Sequence, residues 1–152
     1  MQLHYVFSHL QNSFRARKSL ASVPNCNSVL ELCAVLYHQG FLSSIQRGDI
    51  HGPDALPTIT TRQNVATRRL WLGLKYFEGK PVLHYIRAVS KPSRKVNLTP
   101  SELLQFAKGR KVSFVNGLEP AEVGIVETKH GIMSIDDAIK NNLGGNVICR
   151  VK

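Results

Sequence analysis

Glu122-Val123-Gly124-Ile125-Val126-Glu127-Thr128-Lys129-His130-Gly131-Ile132-Met133-Ser134 decides how the C-terminal part of this chain is organised. Val123, Ile125 and Val126 read as a short buried strand. Thr128, Lys129 and His130 follow it, and Gly131 can take the positive φ that reverses the chain. Ile132 and Met133 begin the return. Ser134 stands three residues before Asp137, the pattern of a helix N-cap ahead of Ala138 and Ile139. Gly144-Gly145 is read as the end of that helix, and Asn146 to Val151 as a closing strand. The turn presents a hydroxyl, a cation and an imidazole together.

Charge narrows what such a turn could meet. The chain has 152 residues, a formal net charge of +10 and a pI near 9.9. That balance points to a polyanion or an acidic membrane surface as partner. A hydrophobic content of 43% supports a packed core, and the length suits one domain or two small lobes. Cys26, Cys33 and Cys149 form no CxxC pair and read as reduced, mostly buried thiols. No apolar run approaches the roughly 18 residues a membrane span needs.

Upstream, Leu3, Val6, Phe7, Leu10 and Phe14 have helical spacing, and no acid precedes Glu31. An amphipathic, arginine-bearing start of this kind also matches a mitochondrial presequence. We expect an uncleaved segment that both targets and folds. Ser28 and Glu31 predict a capping box for a second helix with Val29, Leu32, Cys33 and Leu36 buried, ended by Gly40. Phe41 to Gln46 reads as a strand. Gly48 to Thr67 is polar, proline-bearing and long for a connection, and reads as a mobile surface loop rather than a contact arm. Leu70 to Tyr76 and Val82 to Val89 predict two strands joined by a Glu78-Gly79 turn. Thr99-Pro100-Ser101-Glu102 starts a further helix whose buried side is Leu103, Leu104, Phe106 and Ala107. Val112 to Val115 reads as a strand with Asn116-Gly117 as its turn.

Several of these segments together resemble a known family. Thr128, Gly131 and Met133 match a loop of the form STSxGxM, and Gly144-Gly145 match the glycines of a following GGE. Leu74-Lys75-Tyr76-Phe77-Glu78-Gly79-Lys80-Pro81-Val82 resembles an LKYFxGKxV hairpin, and Val89-Ser90-Lys91-Pro92 resembles a VSRPG linker. Asn12 and Pro24 also match. These are the marks of the universal small-subunit ribosomal protein number eight, in its bacterial type. The chain departs from the pattern at Glu127 and Lys129, which replace serines, and at Asn146, which replaces the glutamate. Asn97 stands where the family carries an aromatic residue. The basic start and extended loop make the chain similar to a fungal mitochondrial member.

The resemblance implies an α+β fold in two small lobes. Residues 1–89 would form an N-terminal lobe of helices on a short sheet. Residues 90–152 would form a mainly antiparallel C-terminal lobe with short helices and an RNA-contacting loop. It also implies binding to the central domain of small-subunit ribosomal RNA, with neighbouring ribosomal proteins as further partners, in the mitochondrial matrix. The residues' own chemistry and the resemblance together give the expected RNA-contacting set: Asn12, Arg15, Lys91, Arg94, Lys95, Thr128, Lys129, His130, Gly131, Ser134, Gly144, Gly145 and Asn146. Lysines and arginines would supply the sequence-independent attraction, and a tight turn would approach sugars and base edges in a shallow minor groove. A free basic RNA-binding regulator and an RNA-processing enzyme are the two other readings.

Nothing in the sequence asks for catalysis, a cofactor, a metal or a small-molecule substrate. None of the six histidines is followed two residues later by Ser or Thr, as paired phosphoesterase motifs require. Ser134 lacks a nucleophile elbow. The cysteines lack zinc spacing, and Gly79-Lys80 lacks the upstream glycine of a phosphate loop.

Overall fold

A computed structural model describes residues 2–152, which form two compact units, 2–82 and 83–152. Both combine helices with antiparallel strands, so the fold is α+β.

The first unit begins with α1 (Gln2–Arg15), which buries Val6, Phe7, Leu10 and Phe14 on one stripe. Leu20–Pro24 follows as a strand, β1, that the sequence reading passed over. Ala21 and Val23 point inward in strict alternation, and Pro24 sits at its end where a missing donor matters least. Helix α2 (Asn27–His38) buries Val29, Leu32, Cys33 and Leu36 as expected. Its start is different. Cys26 is the N-cap, with no side-chain cap bond, so Ser28 lies inside the first turn and the expected capping box is not formed. Gly40 ends the helix at φ +83°, with Gly40 N–H bonded to Tyr37 O and Phe41 N–H to Leu36 O. This is the Schellman pattern that a left-handed glycine permits.

Strands β2 (Leu42–Gly48) and β3 (Arg69–Leu74) pair antiparallel, and β1 joins the other edge of β3. The 48–67 segment is tethered at its far end. Arg68 is 3% exposed, and its guanidinium bonds to Asp54 (2.6 and 3.1 Å), Asp49 (3.0 Å) and Thr58 O (3.2 Å). That bidentate pair holds the Asp54 carboxyl below the usual carboxylate range. Strands β4 (Tyr76–Phe77) and β5 (Lys80–Pro81) close a hairpin over Glu78 (φ 50°) and Gly79 (φ 74°), the two positive values that a type I′ turn needs.

The second unit is a sheet in the order β6-β10-β8-β9: β6 (Ile86–Ala88), β10 (Gly145–Val151), β8 (Val123–Thr128) and β9 (Gly131–Ser134). The short β7 (Asn97–Leu98) also pairs with β10. The expected returning strand Val82–Val89 is therefore not one strand. Lys152 O accepts from the N–H groups of His84 and Tyr85, and β6 then pairs with β10 rather than with the hairpin. Helix α3 (Pro100–Ala107) has the predicted capping box: Thr99 N–H donates to Glu102 Oε2 at 2.8 Å, and Glu102 N–H to Thr99 Oγ1 at 3.4 Å. Leu103 and Phe106 are fully buried, whereas Leu104, expected inside, faces solvent. Val112–Val115 is a doubly bonded tight turn, not a strand, with both N–H···O bonds at 3.0 Å and Ser113 at φ 54°.

Helix α4 (Ile135–Lys140) is capped by Ser134 as predicted. Its end is not made by the glycines. Asn142 takes the left-handed position (φ 51°), with Leu143 N–H bonded to Ala138 O and Asn142 N–H to Ile139 O. Gly144 and Gly145 answer a different demand. A Cβ on Gly144 would lie 2.8 Å from Leu98 O, and one on Gly145 2.3 Å from Glu127 O. Around Phe106 the core gathers Val96, Leu98, Leu103, Val112, Val126, Ile135, Ala138 and Val147. Cys33 and Cys149 are buried and Cys26 half-buried, all as free thiols. Burial pushes the Cys33 thiol up to about 12 and the Cys149 thiol higher still. Among the described residues no helix is long and apolar enough to cross a membrane.

Candidate nucleic-acid interface

The β8–β9 hairpin presents the first group of candidate residues. Thr128 faces Gly131 across the ladder, and Gly131 takes φ 112°. The Thr128 hydroxyl donates to Gly131 O at 3.0 Å and accepts from His130 N–H at 3.2 Å. It therefore braces the turn from inside, while Lys129 and His130 project as its exposed tip. Ser134 is 2% exposed, and its hydroxyl both accepts from Asp137 N–H (3.2 Å) and donates to Asp137 Oδ2 (2.7 Å). Ser134 thus fixes the start of α4 and with it the return limb of the hairpin.

Beside the hairpin runs a polar row across the sheet. Asn97 pairs with Asn146, and Asn146 with Glu127. Asn146 Nδ2 donates to Glu127 Oε2 at 3.3 Å, and Asn146 Oδ1 lies 2.6 Å from Ser90 Oγ. Ser90, itself buried, also accepts from Val96 N–H at 3.0 Å and lies 2.6 Å from Val147 O. Glu127 thus finds its partner in Asn146 rather than in the neighbouring Lys129. Two of the departures from the family pattern, Glu127 and Asn146, are opposite each other and hydrogen-bonded. Gly145, next to Asn146, lets β10 pass against Glu127 O.

The Ser90 end of this network opens into a second cationic group. Lys91 and Arg94 close a tight turn through two N–H···O bonds of 3.0 Å, and Lys91, Arg94 and Lys95 are all exposed. No carboxylate pairs with them among the described residues. Arg150 behaves differently. It bonds Asn116 O (2.6 Å) and Gly117 O, pairs with the buried Glu122 carboxylate (3.4 Å), and so anchors the 112–117 segment. Glu122 also accepts from the Tyr85 hydroxyl. That bond, helped by burial, lifts the tyrosine to about 12. Asn12 and Arg15, the remaining candidates, are exposed near the end of α1 in the other unit.

The sequence has known relatives. The sequence model of ribosomal protein S8 matches residues 2–151. The chain belongs to the ribosomal protein S8 family. It is 42% identical to the small ribosomal subunit protein uS8m of Neurospora crassa, over 99% of this chain and 98% of that one. Bacterial members are further away. Identity is 30% to the uS8 protein of Chromohalobacter salexigens (96% and 92% covered) and 29% to that of Ruegeria pomeroyi (96% and 94%).

Within this S8 chain, sequence reasoning missed one exposed group. Phe114 stands at the tip of the Val112–Val115 turn, with the Arg94 guanidinium 4.3 Å from its ring centre. An apolar residue flanked by Lys108, Arg110 and Lys111 was the available signal. Reading 112–115 as a strand hid it.

Proposed function

We propose that this chain is a structural constituent of the mitochondrial small ribosomal subunit. There it binds the central domain of the small-subunit ribosomal RNA and takes neighbouring ribosomal proteins as further partners. The full-length likeness to a protein described as uS8m carries the subunit and the compartment. The RNA contact rests on one observation: the hairpin tip Lys129-His130 and the Lys91–Arg94 turn are exposed, carry cations with no carboxylate partner among the described residues, and are linked through the Ser90–Asn146–Glu127 network.

The mechanism is architectural. Lys91, Arg94, Lys95 and Lys129 meet phosphates, and His130 and the backbone of the Thr128–Gly131 turn approach a minor groove. Ser134, Gly144, Gly145 and Asn146 act by holding these groups in place. Asn12 and Arg15 add a contact from the first unit. Binding favours one RNA arrangement over its alternatives by the difference in affinity, and no turnover is involved. The burial of Val6, Phe7, Leu10 and Phe14 supports retention of the N-terminal segment in the mature protein, which an intact mass would test.

The decisive experiment is sedimentation of a tagged chain from purified mitochondria. It is joined to equilibrium binding of the purified protein to a central-domain RNA fragment and to an unrelated duplex across a salt series. Co-migration with the small subunit and selective binding at moderate salt are expected. A chain that stays at the top of the gradient and still binds RNA would identify a free regulator instead.

A further inference from the structure

The Lys91–Arg94 end of this interface carries chemistry that phosphate contact alone does not explain. Arg87, Lys91, Arg94, Phe114, Asn116 and Arg150 line an open groove of about 350 Å³. No carboxylate is among its lining residues. Arg150 is committed to Glu122 and to the Asn116 and Gly117 carbonyls, so Arg87, Lys91 and Arg94 are its available cations. Arg87 lies 4.6 Å from the Tyr85 ring centre and is exposed.

Two rigid turns form the walls. Lys91–Arg94 and Val112–Val115 are each closed by two backbone hydrogen bonds of 3.0 Å, and Ser113 holds a left-handed φ of 54°. A non-glycine residue in that region costs free energy, so the turn is held in place by its surroundings. Its outcome is that Phe114 is 53% exposed beside Arg94, while Val112 in the same turn is buried in the core. The phenylalanine therefore adds little to the core. The groove combines a planar guanidinium, an aromatic ring open to solvent and unpaired cations on a fixed frame. An unstacked nucleobase with its flanking phosphates matches all three, since every base offers a π-face whatever its identity.

We propose that the groove between the Lys91–Arg94 and Val112–Val115 turns receives one unpaired RNA base, added to the Arg94–Phe114 stack with its phosphates on Arg87 and Lys91. This rests on the RNA-binding reading above and names a ligand feature for it: a bulged or looped-out nucleotide beside a duplex. Asn97 gives no aromatic surface, so Phe114 is the ring on offer at this end of the sheet.

The test uses the full chain and two short RNA hairpins, identical except that one carries a single bulged 2-aminopurine. Wild type should bind the bulged hairpin more tightly and quench its fluorescence. Phe114→Leu, which keeps an apolar side chain on an exposed site, should lose about tenfold in affinity for the bulged hairpin alone, and the quenching with it. Phe114→Tyr should keep both. Because no charge changes, the salt slope should stay the same. Equal wild-type binding to the two hairpins, or an unchanged Phe114→Leu, would overturn the base site while Lys129→Ala still weakens both. Failure to bind either hairpin would overturn the RNA reading and this site with it.

Discussion

Replacing Thr128 by valine keeps the shape of the side chain and removes its hydroxyl. Two hydrogen bonds disappear, to Gly131 O at 3.0 Å and from His130 N–H at 3.2 Å. Both partners sit at a hairpin tip where water can reach them, so each bond is worth about 0.5–1.5 kcal/mol net rather than a full desolvation penalty. The turn should therefore lose about 1–2 kcal/mol of local order, with little change in global stability. Fully transmitted to binding, that is about 5- to 30-fold in Kd. The salt slope should not move, because no charge is removed. Lys129→Ala, next in the chain, should lower that slope by about one phosphate contact and leave the turn intact. The assay pairs RNA titrations across a salt series with amide exchange at His130, whose N–H loses its acceptor in the valine variant. Faster His130 exchange with weaker binding is expected. If exchange accelerates and affinity for the central-domain fragment is unchanged, the turn is not an RNA-contacting element. If neither changes, the hydroxyl brace itself is refuted.

Other consequences follow from the packing. Gly145→Ala would place a Cβ 2.3 Å from Glu127 O and 3.0 Å from Val126 Cγ2, forcing β8 and β10 apart; a loss of about 1–3 kcal/mol should appear as a lower denaturant midpoint. The Thr99 backbone N–H, then its hydroxyl, hold the Glu102 carboxyl below its ordinary range. A depressed folded-state pKa means the contribution is present above the ordinary carboxylate pKa and is lost as pH falls through the folded value. Wild type should therefore melt above Glu102→Gln at neutral pH, with the gap closing on acidification. Asp54→Ala should release Arg68 and expose residues 48–67 to limited proteolysis, with β2 and β3 left intact. The Asp54 carboxyl is lowered mainly by its bond to Arg68, so the same release should appear in wild type as pH falls through the depressed value.

Local chemistry made much of this molecule legible in its sequence. Thr99-Pro100-Ser101-Glu102 and Ser134 to Asp137 specify helix starts because the capping partners lie within three residues. Glu78-Gly79 specifies its turn because the required φ values belong to those two residues. Leu3 to Phe14 and Val29 to Leu36 state their buried faces by periodicity alone. The Thr128–Gly131 hairpin and its exposed Lys129-His130 tip came from the same kind of short-range reading. What tertiary structure alone decided is which segments meet. Residues 84–85 bond to Lys152, far away in sequence, and that capture divides an apparent single strand. Gly144 and Gly145 look like a helix stop, yet their role is set by Leu98 O and Glu127 O, which approach from other strands. Asn142 ends the helix because a short polar side chain tolerates the left-handed region. Asn146 reaches Glu127 and Ser90 because three strands bring them into one row. Phe114 meets Arg94 because two distant turns close next to each other. Capping, turns and periodicity act over a few residues and are written along the chain. Strand pairing and close backbone approach join residues tens of positions apart, and only the folded chain fixes them.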